Sequence, residues 1–502
     1  MKKLKLIVTL LFLIVFAYSC DDNYLDEVNY GKVNDGVLWK DKSDFQQAIN
    51  SAISNIDQTF GYGTIFSFLM EDAATDYWIG GANFAGEFSN FSQWRTNYPT
   101  TFNWAVWPPV WNSIYYSNLV LERMDRVTNL TEDEKKRFEG QARFFRAMNY
   151  YFLQNKFGGV PIITSVEDKR TAIPQSTREE VRKLIENDLV LAANLLPGKA
   201  DVKSEGQLSR PSKQAALGLL ARLYINWESR ADRWQKTAET CDLVINDPSG
   251  AGLETPYSKI FALDNENNKE ILFALEHSTI SNQTGVFLLN TFFASEWDMQ
   301  TPNASRIGWG GDWRVSKALI YDKFETNDLR KNQLLMSYIR KNGGTATLTT
   351  PLLAKYPLDS FNLTNFSGGN DQPIIRYADI ILMKAEAENQ LGNLNVAIGL
   401  VNQIRRRAGL GDLTSSDKDS KTSLNDFIYH ERRREFFCEG LGRTDMIRFK
   451  LNTNTTHDNE FLKWVATKPG TNNGDAKYLV YPFDGQALRK NTGLKQNPGY
   501  LN

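Results

Sequence analysis

Apolar positions recur three and four residues apart along most of the chain, the spacing of helices that each bury one face. Phe45, Ala48, Ile49, Ala52, Ile53 and Ile56 draw the first such face, starting after Ser43-Asp44. A second long helix is predicted over residues 110–127, behind Pro108-Pro109. Thr131 and Glu134 stand three apart, where a hydroxyl and a carboxylate satisfy each other's helix-end N–H groups. The helix they open runs through Phe138, Ala142, Phe145, Met148 and Phe152 to Gly158-Gly159. Ser176 with Glu179 opens the next, which Pro197-Gly198 closes. Further helices are predicted over 212–228, 232–246, 374–391, 395–408 and 424–437, and the strand signals are few: Ile271–Leu275 and residues 478–480.

The helices come in pairs. Ala215, Leu217, Leu220, Ala221 and Tyr224 precede Trp234, Ala238 and Leu243; Ala385, Asn389, Leu391 and Gly392 precede Ala397, Leu400 and Ile404. Small residues at the crossing and two helices per roughly 34 residues fit a tetratricopeptide-like stack, which buries a continuous core and makes a rigid scaffold. The predicted fold is mainly α, an α/α superhelix of helix pairs with few short strands. Three long inserts interrupt it, at about 60–103, 248–313 and 341–372. Loops of that length in a compact body are functional or disordered, and the aromatic content of the first two argues for function.

The chain starts differently. Lys2, Lys3 and Lys5 precede an apolar run from Leu6 to Ala17, too short for a bilayer span and suited to a signal peptide. The run ends in Ala17-Tyr18-Ser19-Cys20, an arrangement of lipoprotein signals in which the cysteine is lipidated. Residues 1–19 are thus expected to be removed, 20–40 to form a tether, and 41–502 to fold as a single domain, with an N-terminal part of about 41–247 and a C-terminal part of about 248–502. Asp21-Asp22 resembles the acidic tag that sends lipoproteins of Bacteroidetes-type bacteria to the cell surface.

Composition narrows the chemistry. Lys and Arg number 58 against 59 Asp and Glu, so bulk charge gives no attraction to nucleic acid. Besides Cys20 only Cys241 and Cys438 remain, both in helical surroundings and read as buried thiols. With three histidines and no metal-type cysteine spacing, no metal or cofactor is called for. Asp72 and Asp76 lack calcium-loop spacing and are read as positioning a loop or holding an ion. No Ser-His-Asp arrangement, HExxH or phosphate loop appears, although a catalytic carboxylate pair among the 59 acids stays open.

Several blocks resemble a known family. Arg143-Phe144-Phe145-Arg146-Ala147-Met148-Asn149-Tyr150-Tyr151-Phe152-Leu153, followed by Phe157-Gly158-Gly159-Val160-Pro161, is similar to a block of the SusD/RagB family. So are Arg376-Tyr377-Ala378-Asp379 through Ala387, Glu431-Arg432-Arg433-Arg434-Glu435 with Glu439-Gly440, Arg443, Asp445 and Arg448, and the C-terminal Gln496-Asn497-Pro498-Gly499-Tyr500. Cys438, Leu441-Gly442 and Tyr481-Pro482-Phe483 depart from the family pattern. The resemblance implies a mainly α fold of four tetratricopeptide-like units with a loop-rich capping region. It also implies a non-catalytic lid of a SusC-like TonB-dependent outer-membrane transporter, lipid-anchored and surface-exposed, delivering oligosaccharides or, in the RagB branch, peptides.

The motif charges read as ion pairs between helices, which diagnose a fold and not a site. The site is expected in the inserts. A sugar ring has an apolar C–H face that a flat indole covers, and a hydroxyl rim that Arg or Asn satisfies. The glycan-binding residues expected are Trp78, Asn83, Trp94 and Arg95 in the first insert, and Trp297, Arg306, Trp309 and Trp313 in the second. Trp104, Trp107 and Trp111 beside Pro108-Pro109 are assigned to packing. The favoured ligand is thus an oligosaccharide; the alternatives are a peptide or, as an enzyme, a secreted glycoside hydrolase with two carboxylates across a cleft.

Overall fold

The computed structural model describes residues 39–57, 70–79, 103–168, 170–204, 209–277, 314–357, 370–451, 459–468 and 474–500. Helices dominate them. The first, α1 (Lys42–Ile56), starts at Asp41, which exchanges hydrogen bonds with the helix end through Asp44, and it buries Phe45, Ala48, Ile49, Ala52 and Ile56 as the periodicity predicts. Next comes α2 (Asn103–Arg123), which begins before Pro108-Pro109 and carries both prolines inside, where a start behind them was expected. Trp107 and Trp111, on either side of the prolines in sequence, pack against the hydrophobic core.

Thr131 and Gly158 bound α3 (Glu132–Phe157), with the reciprocal Thr131–Glu134 bonds in place. α4 (Arg178–Leu195) opens one residue later than expected: Thr177 and Glu180, not Ser176 and Glu179, close the capping box. Overlapping Ser-Thr and Glu-Glu pairs offer two registers, and the second prevails. α5 (Lys213–Ile225) and α6 (Arg233–Ile245) form one antiparallel pair, and α7 (Tyr377–Leu391) and α8 (Leu394–Arg407) another, turned at Gly392 in the left-handed region, where a side chain would be strained. α9 (Lys421–Phe436) and the short α10 (Gly442–Arg448) follow. From α1 to α8 each long helix packs on the next, and α9 lies against α7 and α8. This is the stacked-pair scaffold that the sequence predicts.

Two small sheets cap it. In the first, β1 (Trp78–Ile79), β3 (Arg314–Val315), β5 (Thr345–Leu353) and β4 (Leu334–Ile339) lie in the order β1-β3-β5-β4. In the second, β2 (Ile271–Leu275) pairs antiparallel with β6 (Gln372–Arg376). The sequence reading placed residues 374–376 in a helix, but pairing with the buried β2 draws them into a strand and delays α7 to Tyr377. Residues 478–480, read as a strand, belong instead to a 3-10 turn, Ala476–Leu479, and the following extended segment. β5 falls within the expected insert at 341–372, and β4 lies before it, where the sequence reading predicts no element.

Among the described residues no helix is long and apolar enough to cross a membrane. The apolar run before Cys20, Cys20 itself and the tether lie outside them. Cys241 and Cys438 are both buried free thiols.

Candidate functional site

Of the residues expected to hold a glycan, Trp78 lies within the described structure; Asn83, Trp94, Arg95, Trp297, Arg306, Trp309 and Trp313 lie outside it. Trp78 is 8% exposed and its ring joins the hydrophobic core. Its strand fixes something more useful. Trp78 pairs with Val315 and Ile79 with Arg314, antiparallel, and the Ser316 N–H donates to the Tyr77 carbonyl at 2.6 Å. The chain therefore departs into the first aromatic insert, and returns from the second, on adjacent strands of one sheet. Arg314 is tied in turn to β5, its guanidinium donating to the Thr350 carbonyl at 3.0 Å. Two-residue strands far apart in sequence carry no periodic signal, so this juxtaposition was invisible beforehand.

The root of the first insert is bolted to the loop that opens α10. Asp72, fully buried, accepts from the Tyr77 hydroxyl at 2.7 Å, the Gly440 N–H at 2.7 Å and the Gly442 N–H at 3.3 Å. Burial pushes its carboxyl up to about 7, although the Tyr77 and Gly440 hydrogen bonds pull the other way. Glu71 accepts from the Thr444 N–H and hydroxyl, both at 2.7 Å, and pairs with buried Lys156. Burial pulls the Lys156 ammonium down to about 8 against the attraction of Glu71. Asp76 takes two bonds from Arg433, at 2.8 and 3.1 Å, and that guanidinium also lies over the Tyr77 ring. Of the two roles considered for Asp72 and Asp76, these bonds give them loop positioning.

Gly442, one of the departures from the family pattern, has a reason here. A Cβ on it would lie 2.8 Å from Thr75 Cγ2 and Tyr77 Oη and 2.9 Å from Asp72 Oδ1. Gly442→Ala is therefore expected to force the insert root off α10 and to lower stability by about 1–3 kcal/mol, as overpacking does. Urea unfolding followed by tryptophan fluorescence checks it; an unchanged midpoint would show that the contact yields freely.

The charged motifs act inside the scaffold, as their alternating signs suggest. Arg143 and Arg146 both bond Asp188, at 3.0 Å and at 2.7 and 2.8 Å. Arg376 bonds Glu439 at 2.6 and 2.7 Å and Glu435 at 3.1 Å, and pairs with Glu270. Arg407 joins Glu435 and Glu270, and Arg330 joins Asp328, Glu431 and Glu435. A second buried group links Asp379 to Arg222 and Arg432, and Asp445 to Arg432 and Arg448. Arg443 donates to the Tyr478 and Leu479 carbonyls and so fastens the C-terminal segment.

The remaining family residues are equally structural. Trp107 meets Phe157 and Phe483 edge to face at 5.4 and 5.5 Å, Trp111 meets Tyr150 at 6.0 Å, and Phe157 stacks on Phe483. Packing is thus the role of both tryptophans, as expected; the side chain of Trp104 is outside the described residues. Asn497 donates to the Phe157 and Tyr481 carbonyls at 3.0 and 2.7 Å, closing the C-terminal motif onto the end of α3. Among the described residues no group of three or more His, Cys, Asp and Glu side chains is placed to hold a metal.

A stack of helix pairs whose repeated charges are buried as cross-links, capped by small sheets that root long inserts, defines a tetratricopeptide-like scaffold protein. Residues 269–500 match the SusD family model, and residues 23–225 match a family described as "Starch-binding associating with outer membrane". The chain belongs to the SusD/RagB family. A SusD-like protein of Formosa agariphila is 23% identical over 519 residues, covering 94% of each chain. The starch-binding protein SusD of Bacteroides thetaiotaomicron is 23% identical over 443 residues, covering 75% of each. Among solved structures, the surface glycan-binding protein A of Bacteroides uniformis superposes with a TM-score of 0.73 at 22% identity, over 91% of this chain and 99% of that one. That likeness concerns the fold.

Proposed function

We propose that this chain is a glycan-capturing protein of the outer membrane that binds oligosaccharides without cleaving them and passes them to a SusC-like TonB-dependent transporter. One structural observation carries the reading beyond family membership. The β1–β3 pairing sets Ile79 and Arg314, from which the two tryptophan-bearing segments continue, side by side, which supports a reading in which both contribute to one binding surface. The glycan and starch binding named for the relatives supports the ligand class, as does the family description for membrane association. Trp94 and Arg95 from the first insert, with Trp297, Arg306, Trp309 and Trp313 from the second, are the proposed contacts. Asn83 completes the set; Trp78, with its ring in the hydrophobic core, is not retained as a contact and anchors the root of the first insert. Lipidation of Cys20 and display at the cell surface complete the proposal, with residues 41–502 acting as one domain.

Replacing Trp94 and Trp309 together by alanine is expected to reduce glycan retention at least tenfold, since stacking on an aromatic face contributes on the order of 1 kcal/mol or more per ring. Affinity electrophoresis in polysaccharide-containing gels measures it. Unimpaired glycan retention by the double variant would remove the inserts as the site. Capture of peptides by the same surface, insensitive to these changes, would favour the peptide-lid alternative.

A further inference from the structure

One cluster has no part in the reading above. His277 closes the β2 segment, and both its ring nitrogens are engaged: Nδ1 with the Asn370 carbonyl and Nε2 with Asp57 Oδ1, each at 2.8 Å. Its own N–H donates to Asp371 Oδ1 at 2.9 Å, and the Asp371 N–H donates to Glu266 at 2.8 Å. Asp57 is the residue that ends α1, its N–H bonded to the Ile53 carbonyl at 3.0 Å. One imidazole therefore joins the end of the first helix to the open end of the β2–β6 sheet, at the points where the chain turns from scaffold towards its inserts. The side chain is 2% exposed, so water does not stand in for either partner.

We infer that His277 is a proton-operated clasp, fastening the end of α1 to the β2–β6 sheet when the ring carries two N–H donors and loosening when it carries one. A doubly protonated ring donates to the Asn370 carbonyl and the Asp57 carboxylate at once. A neutral ring has one donor and leaves the other bond facing a lone pair. The charged groups around it come from every neighbouring element: Asp57 from α1, Asp371 from the start of the β6 segment, Glu266 behind Asp371, and Glu276 next in sequence. Lys199, Lys203 and Arg210 line a small cavity with Glu266 and Asp371, and Arg210 also bonds Asn50 of α1. Burial pushes the imidazole down, but the Asp57 carboxylate, the Asn370 carbonyl and Asp371 outweigh it and hold the ring above the ordinary histidine value. A raised histidine stabilises the folded state fully below its unfolded pKa of about 6.5, and that contribution is lost as pH rises through the folded value.

Imidazole proton NMR on the soluble protein, assigned with His277→Gln, is expected to place His277 above 6.5. Amide exchange at Asp57 and His277, corrected for intrinsic rates, should then lose protection between pH 6 and 9 by about tenfold for each unit of elevation. His277→Gln keeps a donor without a titration, and its protection should change with pH only as far as Asp371, which accepts the residue's own N–H, still titrates. Asp57→Asn, which disturbs the core less, should lower the His277 titration and remove most of the pH dependence. Titration at or below 6.5, or equal pH dependence in the wild type and His277→Gln, would overturn the clasp. None of these readouts involves a ligand, so they stand apart from the glycan reading.

Discussion

Arg376→Ala is expected to cost about 3–5 kcal/mol, enough to leave much of the protein unfolded or insoluble against a total stability of about 5–15 kcal/mol. The guanidinium is 2% exposed and lies among Glu270, Glu435 and Glu439, with Phe261 and Phe436 against its faces. Truncation leaves three buried carboxylates short of a partner they were desolvated to meet, and Arg407, Arg330 and Lys355 are already committed to the same acids. Arg376 also stands where β6 becomes α7, so the damage reaches both elements. Lysine in its place retains the charge but not the fork that spans three acids, and is expected to recover only part of the loss. Arg170→Ala is the control: its pair with Asp168 is solvent-exposed, and the urea midpoint should not move. Equal midpoints for Arg376→Ala and the wild type would refute the view that the family motif is a structural cross-link.

Stability is expected to peak near about pH 4.5, just above the ordinary carboxylate range, and to fall by several kcal/mol on either side. Burial pushes Asp379 up, but Arg222 and Arg432 outweigh it and hold it at about 2; burial likewise opposes Arg330 and Arg434, which hold Glu431 at about 2. Glu435 is held well below the usual range by Arg407, Arg376 and Arg330, against its burial. Such depressed acids contribute stability that is present above their unfolded values and lost as pH falls through about 2. Asp72 and Asp371 act in the opposite sense. Burial raises them to about 7 and about 8, so the folded state keeps protons that the unfolded chain releases above about 4. Stability then declines as pH rises towards those values, by about 1.4 kcal/mol for each pKa unit a group is raised. Urea midpoints measured from pH 2.5 to 8 test both limbs, and Asp72→Asn should flatten the upper one. A midpoint that climbs steadily to pH 8 would contradict the assignment.

Much of the scaffold was legible because helix signals are local. Thr131, Glu134 and Gly158 mark both ends of α3, and the apolar stripe of α1 names the residues it buries. What failed was set by partners distant in sequence. Residues 374–376 carry apolar residues that suit a helix or a strand, and only β2 decides between them. The β4–β5 hairpin does carry a local signal, a Gly343-Gly344 turn before a threonine-rich run, but β5 starts as an alternation with exposed positions and falls in the expected insert, and β4 has no prediction. The charge-rich motifs were correctly read as cross-links from their alternating signs. The insert roots were half legible: the aromatics announced themselves by composition, whereas the Asp72 contacts and the His277 clasp depend on backbone groups that no spacing reveals.

The chain is proposed to capture glycans without cleaving them. The most direct measurement incubates the soluble form lacking residues 1–20 with a panel of end-labelled oligosaccharides and polysaccharides, following both retention and product size. Saturable retention of at least one glycan class is expected, with every bound molecule recovered at its original length. Sustained release of shortened products would contradict it, as would retention of peptides with no glycan held at all.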